Sequence, residues 1–144
     1  MNKLKEAQEH GLLALVVNNG FEFTRTFFPY TSGQIGPYYV QSAVVMSNGK
    51  HYREAISAMQ KLIVDVVVDG FSPEVISGGE SRDWVFSNPV AVAIGLPHAS
   101  IYKNGNVLGA SMKDKEVVHV ADLNNEGSSP KDIWVPSIKR ARGK

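Results

Sequence analysis

The chain has 144 residues, with 15 Lys and Arg against 14 Asp and Glu for a net charge of +1, and 43% apolar residues. That length suits one domain with a core, the balanced charge gives no general attraction to nucleic acid, and no apolar run approaches the ~20 residues that cross a bilayer. The absence of cysteine excludes disulfides and thiolate metal sites, and the charged start Met1-Asn2-Lys3-Leu4-Lys5-Glu6 lacks a signal peptide's apolar core, so a cytoplasmic protein is expected, with neither membrane nor nucleic acid as partner.

Residues 4–17 place Leu4, Ala7, Leu12, Leu13, Leu15 and Val16 in an amphipathic helical pattern, interrupted or loosened at Gly11 and stopped by Asn18-Asn19-Gly20. Alternating aromatic and β-branched residues over 21–28 predict a strand. Pro29 and the turn Thr31-Ser32-Gly33 lead to a second strand over 37–45, and the two pair as a hairpin. After the Asn48-Gly49 turn, residues 51–68 give the strongest helix, with Tyr52, Ala55, Ile56, Met59, Leu62, Ile63 and Val66 on one face and a β-branched end that leaves its boundary open.

Asp69-Gly70 and Ser72-Pro73 link that helix to a short apolar strand, Val75-Ile76-Ser77. The glycine-led polar loop Gly78-Gly79-Glu80-Ser81-Arg82-Asp83 follows, then a helix over 84–94 with Pro89 inside or beside it. Gly95-Leu96-Pro97 returns the chain to a strand at 98–103, and Asn104-Gly105-Asn106 turns it into a hairpin partner at 107–112. A charged turn at 113–116 precedes a strand at 117–120. Asp122 and a small polar loop come next, then a helix over 130–142 disturbed by Pro136. Its basic end, Lys139-Arg140-Ala141-Arg142-Gly143-Lys144, reads as a solvated helix end favoured by the helix dipole.

From Val75 onward the order is strand, glycine loop, helix, strand, hairpin, strand, glycine loop, helix, which is a βαβ arrangement with a parallel sheet. Both glycine loops leave the same sheet edge, where backbone N–H groups and helix N-termini can face an anion. Gly127-Ser128-Ser129 is the expected anion cradle beyond Asp122; the same residues also read as a plain polar turn with Ser129 as N-cap. His10, His51, His98 and His119 have no metal-ligand spacing, and His119, inside a strand, is expected to be a satisfied core or surface histidine.

These stretches resemble a type I phosphoribosyltransferase, nearest the orotate phosphoribosyltransferase group, over most of the chain. Thr31-Ser32-Gly33-Gln34-Ile35-Gly36-Pro37-Tyr38-Tyr39 is similar to that group's lysine-Ser-Gly-arginine-x-Ser-Pro-Tyr-Phe segment in the hood over the base. Gly78-Gly79-Glu80-Ser81-Arg82 lies where the family's pyrophosphate loop lies, and Gly95-Leu96-Pro97 resembles the turn into its second core strand. Ala121-Asp122-Leu123-Asn124-Asn125-Glu126-Gly127-Ser128-Ser129 follows the frame of its phosphoribosyl pyrophosphate loop, acid-acid-apolar-x-Thr-Thr-Gly-x-Ser.

The resemblance implies an α/β fold with a parallel core sheet flanked by helices and a small N-terminal hood of β-strands. It implies one domain over 1–144, with helix and hood at 1–48 and the α/β core at 49–144. It further implies transfer of phosphoribosyl from phosphoribosyl pyrophosphate to orotate or a related base in pyrimidine biosynthesis, by a homodimer. Asp122 would meet the ribose hydroxyls; Asn124, Asn125, Glu126, Gly127, Ser128 and Ser129 would wrap the 5′-phosphate; Thr31, Ser32, Gly33, Tyr38 and Tyr39 would line the hood. Of the two tyrosines, one is expected in the core and the other on the base. Glu80, Ser81 and Arg82 either bind pyrophosphate or form a capped turn with a surface arginine. Asp122 and Lys103 are the candidate catalytic residues, though Lys103 also reads as a solvated strand-end lysine. Mg²⁺ would ride on substrate oxygens and water, with no direct protein ligand, because it dehydrates reluctantly.

Several residues depart from that pattern. Ala121 replaces the first acid, Asn125 and Glu126 replace the two threonines, and a glutamate adds like charge to a phosphate cradle unless it points away. Thr31 and Gln34 replace the hood's lysine and arginine. The family's mobile catalytic loop has shrunk to Asn104-Gly105-Asn106, and the strands that follow the last helix in the family are absent, so that sheet edge is expected to be cut off or supplied by a partner. Two functions stay open: the transferase, and a non-catalytic module of the same fold that binds a nucleotide or ribose phosphate, or only a protein partner.

Overall fold

The computed structural model describes residues 3–30, 33–68, 70–122 and 130–142. The elements are α1 (Lys3–Val17), β1 (Phe21–Pro29), β2 (Ile35–Val40), a 3-10 segment (Ser42–Ser47), α2 (Gly49–Val68), β3 (Val75–Gly79), α3 (Trp84–Ile94), β4 (His98–Ile101), β5 (Val107–Gly109), β6 (Val117–His119), a π turn (Pro130–Trp134) and α4 (Val135–Arg142). Two compact units, Met1–Ala58 and Met59–Lys144, divide the chain inside α2. No helix among the described residues is long and apolar enough to cross a membrane.

In the first unit α1 runs unbroken through Gly11, contrary to the expected loosening. One interior glycine costs only about 1 kcal/mol, too little to break a ladder held on both sides. The helix ends as expected, with Asn19 left-handed at φ 57° and the Gly20 N–H donating to Leu15 O at 2.8 Å. β1 and β2 pair antiparallel, Phe21 opposite Val40 and Phe23 opposite Tyr38, with an irregularity before Phe28.

The strand expected over 37–45 stops at Val40. Gln41 N–H donates to Gly20 O at 2.7 Å, and the following residues coil into the 3-10 segment, which buries Val45. The β-branched pair Val44-Val45 suggested a strand, but burial of one side chain decides such positions more than propensity does. Asn48 Oδ1 then accepts the N–H groups of Lys50 and His51 at 3.1 and 3.2 Å. This cap starts α2 at Gly49, two residues earlier than the apolar pattern predicts.

In the second unit four strands lie in the order β5-β4-β3-β6. β3 pairs parallel with β4 and with β6, whereas β5 pairs antiparallel with β4. The parallel core and the hairpin at its edge agree with the sequence reading. On one face Val75, Ala99, Ile101, Met112 and Trp134 form the buried core, with Ile133, Ile138 and Ala141 partly buried around it. On the other, α3 sets Ser87 against Gly78 and against His98, whose Nε2 lies 2.8 Å from Ser87 Oγ. The period-2 alternation of a strand sends Val75, Ser77 and Gly79 to the first face and Ile76 and Gly78 to the second.

Pro89 lies inside α3, which ends where Gly95 adopts φ 73°, ψ 25° and donates back to the last turn. β4 stops at Ile101, short of the expected Lys103, because Tyr102 enters the turn: its N–H donates to Asn106 O and its carbonyl accepts Gly105 N–H. β5 likewise ends at Gly109 instead of Met112, and β6 at His119 instead of Val120. The last helix opens as a π turn that runs directly into α4, with Pro136 just past the junction. The basic end of α4 is partly engaged, since Arg142 pairs with Glu116 at 3.7 Å and Arg140 donates to Ser137 Oγ at 3.1 Å.

Candidate functional site

Because β3, β4 and β6 are parallel, Gly79, Ile101 and His119 bring their carboxyl ends to one edge of the sheet, the place where open α/β sheets bind ligands. Gly78 and Gly79 are buried residues of β3 and not, as expected, the start of a loop. Their lack of a side chain has a packing cause: a Cβ on Gly78 would run into Ser87, and one on Gly79 into the Trp134 ring. The strand's last carbonyls are also occupied, since Trp84 Nε1–H donates to Gly78 O at 2.8 Å.

The polar segment is therefore Glu80-Ser81-Arg82-Asp83. Glu80 is anchored at both ends, its N–H donating to Ile101 O at 2.9 Å and its Oε2 accepting Lys103 N–H at 3.0 Å. The Glu80–Ser81 peptide is cis. Ser81 and Arg82 are exposed, as is Lys103. Trp84 meets the Tyr102 ring edge-on at 5.2 Å, which packs the start of α3 against the turn after β4.

Asp83 is the residue that ties this edge together. It immediately precedes α3, but its side chain makes no cap bond to that helix. Oδ2 accepts the N–H of Gly79 at 3.0 Å and Oδ1 accepts that of Asp122 at 2.9 Å. One buried carboxylate thus holds the end of β3 and the chain leaving β6. Burial alone pushes the Asp83 carboxyl up, but the His119 side chain, the main chain and side chain of Asp122, and Gly79 N–H outweigh it and hold the carboxyl below its usual 3.8.

His119 completes the network. Ser77 Oγ, fully buried, lies 3.0 Å from its Nδ1, its ring stacks on Trp134 at a 5.9 Å centroid distance, and its Nε2 sits 3.4 Å from Asp83 Oδ2, at ion-pair range. The sequence reading assigned no role to Asp83, Ser77 or Trp134. The one available signal was an acid closing a glycine loop six residues after the expected end of the strand at Ser77.

Asp122 is half-buried at the site's edge. Asn124, Asn125, Glu126, Gly127, Ser128 and Ser129, with the hood residues Thr31 and Ser32, lie outside the described residues. Of the rest of the hood, Gly33 is exposed with φ 86°. The expectation that one tyrosine packs in a core is corrected: Tyr38 and Tyr39 are both 45% exposed. Tyr38 stacks on Phe21 at 6.1 Å and accepts the Tyr30 hydroxyl at its carbonyl, while the Tyr39 hydroxyl reaches Gln41. The ribbon β1–β2 leaves both of these side chains substantially exposed. Among the described residues no three His, Asp or Glu side chains converge as a metal-ligand set. An apolar pocket of about 260 Å³ lies beside β6, between Met59, Leu62 and Ile63 of α2 and Val118 to Ala121; its lining suits no phosphate.

No protein-family model matches the chain. A curated adenine phosphoribosyltransferase of Butyrivibrio fibrisolvens is 33% identical over 63 residues, 44% of this chain and 32% of that protein's length. Among solved structures, the orotate phosphoribosyltransferase of Francisella tularensis superposes with a TM-score of 0.69 at 19% identity, covering 92% of this chain and 65% of that one. The UMP synthase of Leishmania donovani gives 0.71 at 17% identity, over 99% of this chain and 29% of that one. The orotate phosphoribosyltransferase of Mycobacterium tuberculosis, solved with inorganic phosphate, gives 0.62 at 19% identity, over 95% and 78%. The α/β fold is therefore that of the type I phosphoribosyltransferases.

Proposed function

We propose that this chain binds phosphoribosyl pyrophosphate at the carboxyl edge of β3 and β6 and transfers its phosphoribosyl group to orotate or a related base. The observation that carries this reading is the Asp83 carboxylate joining Gly79 to Asp122. It holds the end of β3, which leads into the 80–82 turn, beside Asp122, at the sheet edge where a substrate with a phosphate at one end and a pyrophosphate at the other would lie.

In this reading Asp122 meets the ribose hydroxyls, residues 123–129 hold the 5′-phosphate through main-chain N–H groups and small hydroxyls, and the exposed Ser81 and Arg82 take the pyrophosphate. Mg²⁺ would be held by the substrate and water rather than by side chains of this chain, and would supply charge neutralisation for the leaving pyrophosphate. A base nitrogen, its proton passing to solvent, bonds to the ribose carbon as the bond from that carbon to the pyrophosphate oxygen breaks and the electron pair leaves with pyrophosphate. The protein contributes positioning and stabilisation of the departing charge, with the exposed Lys103 in the turn that follows β4. A homodimer in the cytoplasm belongs to the same proposal, and sedimentation tests the dimer.

One observation favours the second reading, binding without transfer. The turn after β4 is tight, closed by Tyr102 N–H on Asn106 O and Asn106 N–H on Asn104 Oδ1, and Glu80 is engaged with it. Calorimetry with phosphoribosyl pyrophosphate and Mg²⁺, followed by an assay of pyrophosphate release with orotate and with adenine, separates the two. Release supports transfer and names the base, binding without release leaves the module, and no binding overturns both.

A further inference from the structure

We propose that Glu80 is a positioning residue that fixes Lys103 beside Ser81-Arg82, so that cations from two separate segments, Arg82 and Lys103, act on one pyrophosphate. The proposal rests on the pyrophosphate reading of residues 80–82 given above and deepens it. Glu80 grips both the end of β4 and the turn beyond it, its N–H donating to Ile101 O at 2.9 Å and its Oε2 accepting Lys103 N–H at 3.0 Å. Ser81 and Arg82 follow it directly, and both are exposed, as is Lys103. The two exposed cations therefore stand on segments joined through one residue.

The rest of the turn after β4 is held without Glu80. Tyr102 N–H donates to Asn106 O, Gly105 N–H to Tyr102 O and Asn106 N–H to Asn104 Oδ1. The Tyr102 ring meets Trp84 of α3 edge-on, and Arg140 of α4 covers Gly105, where a Cβ would lie 2.7 Å from its Nη2. Of these main-chain donors only Lys103 N–H bonds outside the turn, and it ends on the Glu80 carboxylate. That contact resolves a conflict of charge. A free glutamate in a pyrophosphate-binding segment repels the anion; with Oε2 turned onto a main-chain donor, the acid orders a cation instead. An acid acting through its charge alone weakens anion binding, whereas one that positions Lys103 strengthens it, so the two roles differ in sign.

The test is calorimetry with Mg²⁺-pyrophosphate on the unmutated chain, Lys103→Ala, Glu80→Ala, Glu80→Gln and the double variant of the two alanines. Lys103→Ala is expected to weaken binding by about fivefold, the upper range for one exposed charge pair. Glu80→Ala is expected to weaken it by a similar factor although it removes a negative charge. Glu80→Gln keeps an oxygen for Lys103 N–H and should bind at least as tightly as the unmutated chain. Once Lys103 is alanine, removing Glu80 should weaken binding no further. Binding as tight or tighter in Glu80→Ala overturns the proposal, as does an equal loss with and without Lys103. Amide hydrogen exchange read by NMR separates positioning from a folding defect. In Glu80→Ala, protection is expected to fall at Lys103 and to persist at Ile76 and Val120, whose N–H groups bond within the sheet. Loss throughout the sheet, or a Lys103 amide already unprotected in the unmutated chain, overturns the proposal. If the unmutated chain binds no Mg²⁺-pyrophosphate, the reading of the site fails and this proposal with it; if it binds and Glu80→Ala is no weaker, this proposal alone fails.

Discussion

The six-membered ring of Trp134 occupies the space that a Cβ on Gly79 would fill, so a residue that opens the last helix closes over the end of the central strand. Gly79→Ala therefore overpacks the core. It is expected to cost about 1–3 kcal/mol, seen as a lower denaturation midpoint. In a Trp134→Leu background the same alanine should cost clearly less, because the colliding ring is gone, and a double-mutant cycle measures the difference. Equal costs in both backgrounds would show that Trp134 is not the obstacle.

Gly95 ends α3 in a left-handed conformation with open space around the position of a Cβ. The penalty for replacing it is conformational and not steric. Gly95→Asn should cost less than about 1 kcal/mol and Gly95→Val more, since Asn tolerates this region and a β-branched residue does not. Thermal unfolding of the two variants gives the order directly.

His98 is held below its ordinary value of 6.5, first by burial and then by the charge of His119. The folded chain therefore binds fewer protons at His98 than the unfolded chain does between the lowered value and 6.5. Stability contributed by neutral His98 is complete above 6.5 and falls as pH drops through that window. Urea midpoints measured from pH 7.5 to 5 should decline, and His98→Gln should flatten part of that decline. A profile identical to that of the unmutated chain would remove His98 from the account.

On the proposed reading of residues 121–129 as a phosphate cradle, Asp122→Asn is expected to weaken binding of phosphoribosyl pyrophosphate by several-fold, and Glu126→Thr to strengthen it by removing like charge. Calorimetry at fixed Mg²⁺ reads both. Unchanged affinity in Glu126→Thr would mean that its carboxylate points away from the phosphate.

The parallel core, the hairpin at its edge and the helix order were legible because each rests on local pattern: aromatic and β-branched alternation at 21–28, the apolar face of residues 51–68, glycine turns at Gly95 and Gly105. Boundaries were less legible where a single tertiary event decides them. Val44 and Val45 favour a strand by composition, yet the Gln41 bond to Gly20 and the burial of Val45 coil the chain there. Gly78 and Gly79 read as loop residues because glycine favours loops, but Ser87 and Trp134 supply a packing reason for them inside a strand. The hood tyrosines differ again, since no sequence pattern shows whether a second layer will cover a hairpin.

What the sequence by itself determined was the kind of fold and which sheet edge carries the polar loops, because periodicity and turn chemistry act over a few neighbouring residues. What only the tertiary structure decided was how that edge is built. Asp83 lies 39 residues from Asp122 along the chain and 4 from Gly79, and Ser77 lies 42 from His119. Contacts over such separations leave no local trace, for they form only when parallel pairing has brought β3 and β6 side by side. The buried acid just before α3 then becomes the acceptor for the end of β3 and for the chain leaving β6.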